Sequence, residues 1–308
     1  MRANSIVILV LVGLCNSAFA NTRHLWIEAD PKEKLGAVYK KPWSYDKAQS
    51  LALPSFDETE EVRVRSFTNS IGMKLRWIEK GTFIMGSETS EKGRWLDEGP
   101  AHRVYVNRGF WMGAHEVTQA AYIIVMGENP SSYRGMNSPV ERLSWLDAMT
   151  FCHKLTLIER SKGYLSERQY YTLPTEKQWE YACRAGSQKP FNTGDTITND
   201  EANFNGEYPY GNAAAGVFLC QTTSVGSYEA NGFGLYDMHG NVDEYCLDCW
   251  SEKAPVSPTS AEVKWVAVRG GSCLSLPEHC RSARRDRYGP NTQCCDRGFR
   301  VVIALSKK

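Results

Sequence analysis

Hydrophobic and polar positions follow different textures along this chain. Ile6 to Leu14 (IVILVLVGL) is a continuous apolar run. Residues 21–66 are polar and broken, with no sustained period, which predicts an extension or linker. From Phe67 to residue 308, brief apolar runs alternate with Gly, Trp and Tyr, the texture of one loop-rich α+β domain. Three helices are predicted inside it. Thr118 caps one through Met126, stopped by Gly127 and Pro130. Ser144 and Asp147 form a capping box ahead of Trp145, Ala148, Met149, Cys152 and Leu155 on one face. Thr175 and Gln178 repeat that signature before Trp179, Ala182 and Cys183, and the helix ends at Gly186. Thr82–Met85, Trp265–Arg269 and Phe299–Ala304 are short and rich in β-formers. No period of roughly 20–50 residues repeats, which argues against a solenoid or propeller.

The N-terminal apolar run follows Arg2 and is too short to span a bilayer. Ala18-Phe19-Ala20 then fits small-x-small cleavage, so residues 1–20 read as a signal peptide. Export to a periplasmic or extracellular space follows. A lipidated Cys15 is the competing reading, but Leu14 is bulky where such signals want a small residue. No later apolar run is long enough for a transmembrane segment. Among 308 residues, 42% are apolar and 23% charged, enough for a sizeable core. A net charge of +1 without like-charge blocks points to neither a nucleic-acid surface nor a polybasic anchor. Ten cysteines less Cys15 leave nine, so in an oxidising compartment at least one thiol is expected to be free or to pair with another chain.

Short motifs occur in a definite order: GTFIMGS (81–87), HEVTQAAY (115–122), NPSSYRG (129–135), SPVERLSWLDAMTFC (138–152), LPTEKQWEYACRAG (173–186), GLYDMHGNVDEYC (234–246), RGGS (269–272) and GFRVV (298–302). Each is weak alone. As an ordered set, from about Thr68 to Leu305, they resemble the formylglycine-generating enzyme, or sulfatase-modifying factor, family. That resemblance implies an irregular α+β fold related to C-type lectins, low in regular secondary structure. It also implies two kinds of function. Some members oxidise a sulfatase cysteine to formylglycine with a copper-binding thiol pair. Others lack the pair and act as oxidases of other substrates or as binding proteins, including hypervariable receptors.

In aldehyde-forming members the working thiols lie between the Gly-Gly-Ser turn and a structural cysteine. Here Cys280, followed by RSARR, matches the structural position, and its family partner would be Cys183. Between Ser272 and Cys280 only Cys273 remains, in CLSLPEH, so the active pair is missing and Cys273 is the lone catalytic candidate. Cys152 reads as a small buried hydrophobe. Cys246 and Cys249 form a C-x-x-C without a second pair or a thioredoxin-like context, a weak zinc or redox signal. Cys294 or Cys295 could reach Cys249, Cys220 or Cys273, and spacing does not choose. His102, His115, His153, His239 and His279 fall in different motifs, and no iron site is assigned.

HGNVDE (239–244) matches a segment that holds calcium in family members. By that resemblance Asn241 and Glu244 would give side-chain oxygens and Val242 a backbone carbonyl, the oxygen-only set calcium takes. A second site would use Asn203 and Phe204, although its acidic partner is absent near NAAAGVF. Asp243 stands where the family usually has Trp. The alternative is that Asn241 and Glu244 only tie the turn together by hydrogen bonds. Arg281, Arg284, Arg285, Arg287, Tyr288 and Arg297 crowd the C-terminal region, where hypervariable relatives form their ligand-facing patch. Arg and Tyr are enriched at the energetic centres of interfaces. The combined reading is an exported binding protein recognising a protein or small molecule through residues 273–297, with calcium as cofactor. A copper-dependent oxidase using an altered thiol arrangement around Cys273 is the alternative.

Overall fold

The computed structural model describes residues 65–251 and 263–306. The predicted signal peptide, the alternative lipidation site Cys15 and nearly all of the predicted 21–66 extension lie outside the described residues. All described residues belong to one compact unit, Ser44–Lys308. It is an irregular α+β fold with three helices and short strands.

A five-stranded antiparallel sheet is built from β1 (Ser66–Thr68), β2 (Lys74–Ile78), β5 (Phe110–Gly113), β11 (Val302–Leu305) and β6 (Gln169–Thr172), in the order β1-β2-β5-β11-β6. Between β2 and β5 the chain makes a separate hairpin, β3 (Gly81–Met85) with β4 (His102–Val106). A second sheet has the order β10-β7-β8-β9, with β7 (Asp243–Cys249), β8 (Val266–Arg269), β9 (Asp286–Tyr288) and a two-residue parallel contact from β10 (Arg297–Gly298). Helices α1 (Gln119–Met126), α2 (Trp145–Ser161) and α3 (Glu176–Arg184) complete the unit. No helix among the described residues is long and apolar enough to cross a membrane.

The helix starts follow the capping logic of the sequence. Thr118 accepts from the Ala121 amide, and Gly127 closes α1 in a left-handed conformation that costs glycine nothing. Ser144/Asp147 and Thr175/Gln178 both form reciprocal capping boxes. The buried face of α2, carrying Trp145, Ala148, Phe151, Cys152 and Leu155, packs into the larger apolar cluster with Tyr122, Tyr171 and Phe299. The buried face of α3 enters a second cluster through Trp179, Ala182 and Cys183, beside Met112, Met238 and Cys246.

One strand expectation shifts, and one segment without an assigned element proves to be a strand. The predicted strand 299–304 begins only at Val302; the Phe299 and Val301 carbonyls instead accept from Val117 and Gly113. The C-x-x-C segment lies in β7. Cys246 is fully buried in the second cluster and Cys249 sits at the half-buried end. A metal knuckle needs a turn that brings both thiols to one point, and a strand offers none.

Candidate functional site

The face expected to bind a ligand begins at the Gly270-Gly271 turn, directly after β8. Both glycines have positive φ, and a Cβ at Gly271 would lie 2.6 Å from Cys280 Sγ. The turn therefore needs glycine for its backbone and for the thiol packed on it.

The arginines that follow divide by role. Arg281 is fully buried and closes on Glu98 with Nη1 and Nη2 at 2.8 and 2.6 Å, on Glu91 at 2.6 Å, and on the Gly93 carbonyl at 2.6 Å. Its place on the expected ligand surface is thus corrected: with its donors consumed, it pins the Glu91–Glu98 loop to the core. Arg285 is bidentate on Glu176 (2.7 and 2.8 Å) and also donates to the Asp97 and Ser251 carbonyls. Arg269 completes the network on Glu176 and Glu180. Arg284 lies over the Trp95 ring at 4.0 Å, Arg287 over Trp250 at 3.8 Å, and Arg297 over Tyr288 at 3.1 Å. Arg284, Arg285 and Arg287, together with the Arg94–Asp97 segment and Trp250, line a cleft of about 890 Å³.

A smaller polar cavity of about 70 Å³ lies behind Arg284, lined by Asp243, Asp286, Asp296 and Tyr288 among others. Burial, then the charges of Asp296 and Asp286, push the Asp243 carboxyl well above the usual range. Adjacent residues in a strand point to opposite faces. Asp243 accordingly faces this cavity, while Glu244 faces the core.

Glu244 and Asn241 are committed to protein partners. Both Glu244 oxygens receive the Arg300 guanidinium (2.6–2.9 Å), and Oε2 also accepts from the Trp179 indole at 2.9 Å. Asn241 Oδ1 accepts from Asn203 Nδ2 and from the Thr223 amide and hydroxyl, and its amide donates to Glu116 at 3.0 Å. The Asn203 carbonyl accepts from the Asn241 amide, and the Phe204 carbonyl from Asn199 Nδ2. Val242 lies buried in the same turn. A calcium ion needs several free oxygens. The Asn241–Val242–Glu244 set does not fit one, because a guanidinium already occupies its only carboxylate; the Asn203–Phe204 set offers Asn203 Oδ1, buried and unpartnered among the described residues, but no carboxylate of its own. Among the described residues no group of three or more His, Cys, Asp or Glu side chains is arranged to hold a metal.

All nine described cysteines are free thiols. The expected Cys183–Cys280 bond is not formed: the two thiols sit in separate apolar clusters. Cys183 Sγ approaches Ser282 Oγ at 3.5 Å and the Met238 carbonyl at 3.6 Å, whereas Cys280 Sγ faces the Leu276 carbonyl at 3.7 Å. Burial pushes the Cys183 thiol up to about 12 and Cys280 well above its ordinary value. His239 stands beside Cys183. Its Nε2 accepts from the Asn192 amide at 3.1 Å, so Nδ1 carries the proton and donates to the Cys280 carbonyl at 2.7 Å. Burial brings this imidazole down to about 4, a neutral structural histidine.

Several groupings could not be found from the sequence. Cys273 has no thiol neighbour in its own segment apart from Cys280. The fold, however, brings Cys295 and Cys220 within electrostatic reach, and burial followed by Asp296 and these thiols pushes Cys273 up. The Tyr133 hydroxyl lies 4.0 Å from Cys295 Sγ. Glu116 and Asp237 form a buried carboxyl pair beside Arg300. Trp95 and Trp250 carry no local signal for the cleft they wall, because each reaches it from a loop or strand end far away in sequence.

Comparison with known proteins gives a consistent answer. The sequence model of the sulfatase-modifying factor enzyme 1-like domain matches residues 65–305. The formylglycine-generating enzyme of Mus musculus is 30% identical over 296 residues, covering 74% of each chain. Chaperone protein LppX of Paenibacillus barcinonensis is 30% identical over 227 residues, 63% of this chain and 79% of the relative. Serine/threonine-protein kinase pkn1 of Chlamydia caviae is 30% identical over 80% of this chain, which spans only 40% of that kinase. The solved structure of PvdO from Pseudomonas aeruginosa superposes with a TM-score of 0.65 at 26% identity, over 80% of this chain and 100% of PvdO. Treponema denticola variable protein 1 shares the fold, with a TM-score of 0.63 at 23% identity over 77% of this chain and 98% of that one. With the family's sequence model spanning nearly every described residue, this chain belongs to the sulfatase-modifying factor (formylglycine-generating enzyme) family.

Proposed function

We propose that this chain is an exported, ligand-binding member of the family whose recognition surface lies at residues 273–297, and that it does not form formylglycine. The observation that carries the reading is the cleft beside Arg284–Arg287, walled by tryptophans and of a size suited to a small ligand. Against the aldehyde-forming chemistry stands the segment after Ser272, which carries Cys273 and Cys280 only, both buried and both with thiols pushed up by burial. A soft copper ion needs two thiolates that converge. One observation favours the second reading, a copper-dependent oxidase with an altered thiol site: Cys220 and Cys295 lie within electrostatic reach of Cys273. The deciding experiment loads the purified protein with copper and supplies a Cys-x-Pro-x-Arg peptide. Mass spectrometry should find no formylglycine. Turnover by the wild type that disappears in Cys273→Ser would replace the binding reading with the oxidase.

A further inference from the structure

The cleft contains donors that have nothing to bind. Arg284 is 6% exposed, yet among the described residues its Nε and Nη1 have no hydrogen-bond partner, and its Nη2 makes a 3.4 Å contact to Asp286. The indole Nε1 of Trp250 in the same wall is likewise buried and unpartnered. Buried donors in folded proteins are nearly always satisfied by protein, water or a ligand. Three orphan donor nitrogens beside the cleft therefore mark a place where an acceptor belongs.

The charge of the wall sets the sign of that acceptor. Among the described residues that line the cleft, Arg94, Arg284, Arg285 and Arg287 outnumber the two carboxylates, Asp97 and Asp286. Arg285 is already neutralised by Glu176 and Arg284 is only loosely paired with the half-exposed Asp286 at 3.4 Å, so the cleft keeps excess positive charge on Arg94 and the exposed Arg287, with Arg284 beside them. Planar guanidinium groups bind two-oxygen anions through paired N–H bonds. One side of the mouth is apolar: Trp95 is 53% and Leu96 90% exposed. Adjacent apolar side chains exposed beside a cleft are a feature of ligand-binding grooves.

We infer that the cleft between Arg94–Asp97 and Arg284–Arg287 binds a small organic oxyanion, with Arg284 and the Trp250 indole holding its charged oxygens and Trp95 and Leu96 covering a flat apolar body. This rests on the ligand-binding reading above and names the ligand class for the same surface. Arg284 and Trp250 hold the oxyanion head; Arg287 contributes long-range attraction. A carboxylate and a sulfate ester share the chemistry that the donors recognise, and the probes separate them.

The test uses isothermal titration of the full mature chain with phenylacetate, phenyl sulfate and the neutral isostere phenylacetamide. The two anions should bind at least about tenfold more tightly than the amide, the usual discrimination when a charged hydrogen bond is lost. Whichever anion binds more tightly identifies the head group. Arg284→Met keeps the stem against Trp95 and should lose about tenfold in anion affinity with no change for the amide. Trp250→Phe keeps the ring and should lose a smaller factor. Circular dichroism and a thermal melt check that each variant is folded; if Arg284→Met is not, the Trp250→Phe result decides. Anion affinity unchanged in the folded variants would overturn the inference, as would equal binding of anions and amide. Equal binding that still shifts the Trp95 and Trp250 indole resonances would refute the oxyanion while leaving the ligand-binding reading intact. No binding by any of the three probes would remove the oxyanion site, and the wider reading would then stand or fall with the copper–peptide assay.

Discussion

Replacing Glu244 by Gln separates an internal ion pair from a metal ligand. Glu244 and Arg300 are 1% and 0% exposed, and three contacts of 2.6–2.9 Å join them. Glutamine preserves the volume and the acceptor for the Trp179 indole, so the variant removes the charge and little else. Arg300 then stays buried without its direct carboxylate partner, left with the glutamine oxygen, the Gly113 and Tyr236 carbonyls, and the neighbouring Glu116–Asp237 pair. Removing one partner of a buried pair costs about 3–5 kcal/mol, far above the roughly 0–1 kcal/mol of an exposed pair. At about 2–4 °C per kcal/mol for a domain of this size, Tm should fall by roughly 6–20 °C. Urea unfolding and thermal melts of both proteins, each with added calcium and with chelator, measure this. Calcium should leave both melting temperatures unchanged, because a ligand raises Tm only if the folded state has a site for it. A loss under about 1 kcal/mol would refute the buried-pair argument. A calcium-dependent rise in the wild type that vanishes in Glu244→Gln would refute the assignment of Glu244 to Arg300.

Two further outcomes follow from the buried groups. His239 falls from 6.5 to about 4 on folding, so the unfolded chain binds the extra proton between those values. Its contribution is complete above pH 6.5 and is lost as pH falls toward 4, about 3 kcal/mol in all. His239→Gln should flatten that part of the acid limb in urea unfolding, and an unchanged limb would contradict the neutral, buried imidazole. Native alkylation with iodoacetamide should label the exposed Cys220 first and reach Cys152, Cys183, Cys246 and Cys280 only after unfolding. A Cys183–Cys280 disulfide recovered by peptide mapping would contradict the separate thiols described above.

Much of the framework was legible in local sequence. The Thr118, Ser144 and Thr175 caps and the apolar faces behind them depend on residues three or four apart, which a linear reading sees directly. The ordered motifs identified the family because they record loops and turns kept in one order. Strand pairing was far less visible: β2, β5 and β6 are four or five residues long, and β7 was masked by its cysteines and acidic residues.

What the sequence by itself determined is the helix set, the fold class and the family. Only the tertiary structure decided what the charged residues and thiols do. Arg281 and Arg284 are three positions apart and equally basic, yet one meets Glu91 and Glu98 while the other meets the ring of Trp95. Glu244 carries the oxygen chemistry of a calcium ligand, but Arg300 reaches it from 56 residues away. Cys273 gains Cys220 and Cys295 from distant loops. A side chain's type sets what it can bind, but its partner is set by contacts between remote segments, and those form only when the chain packs.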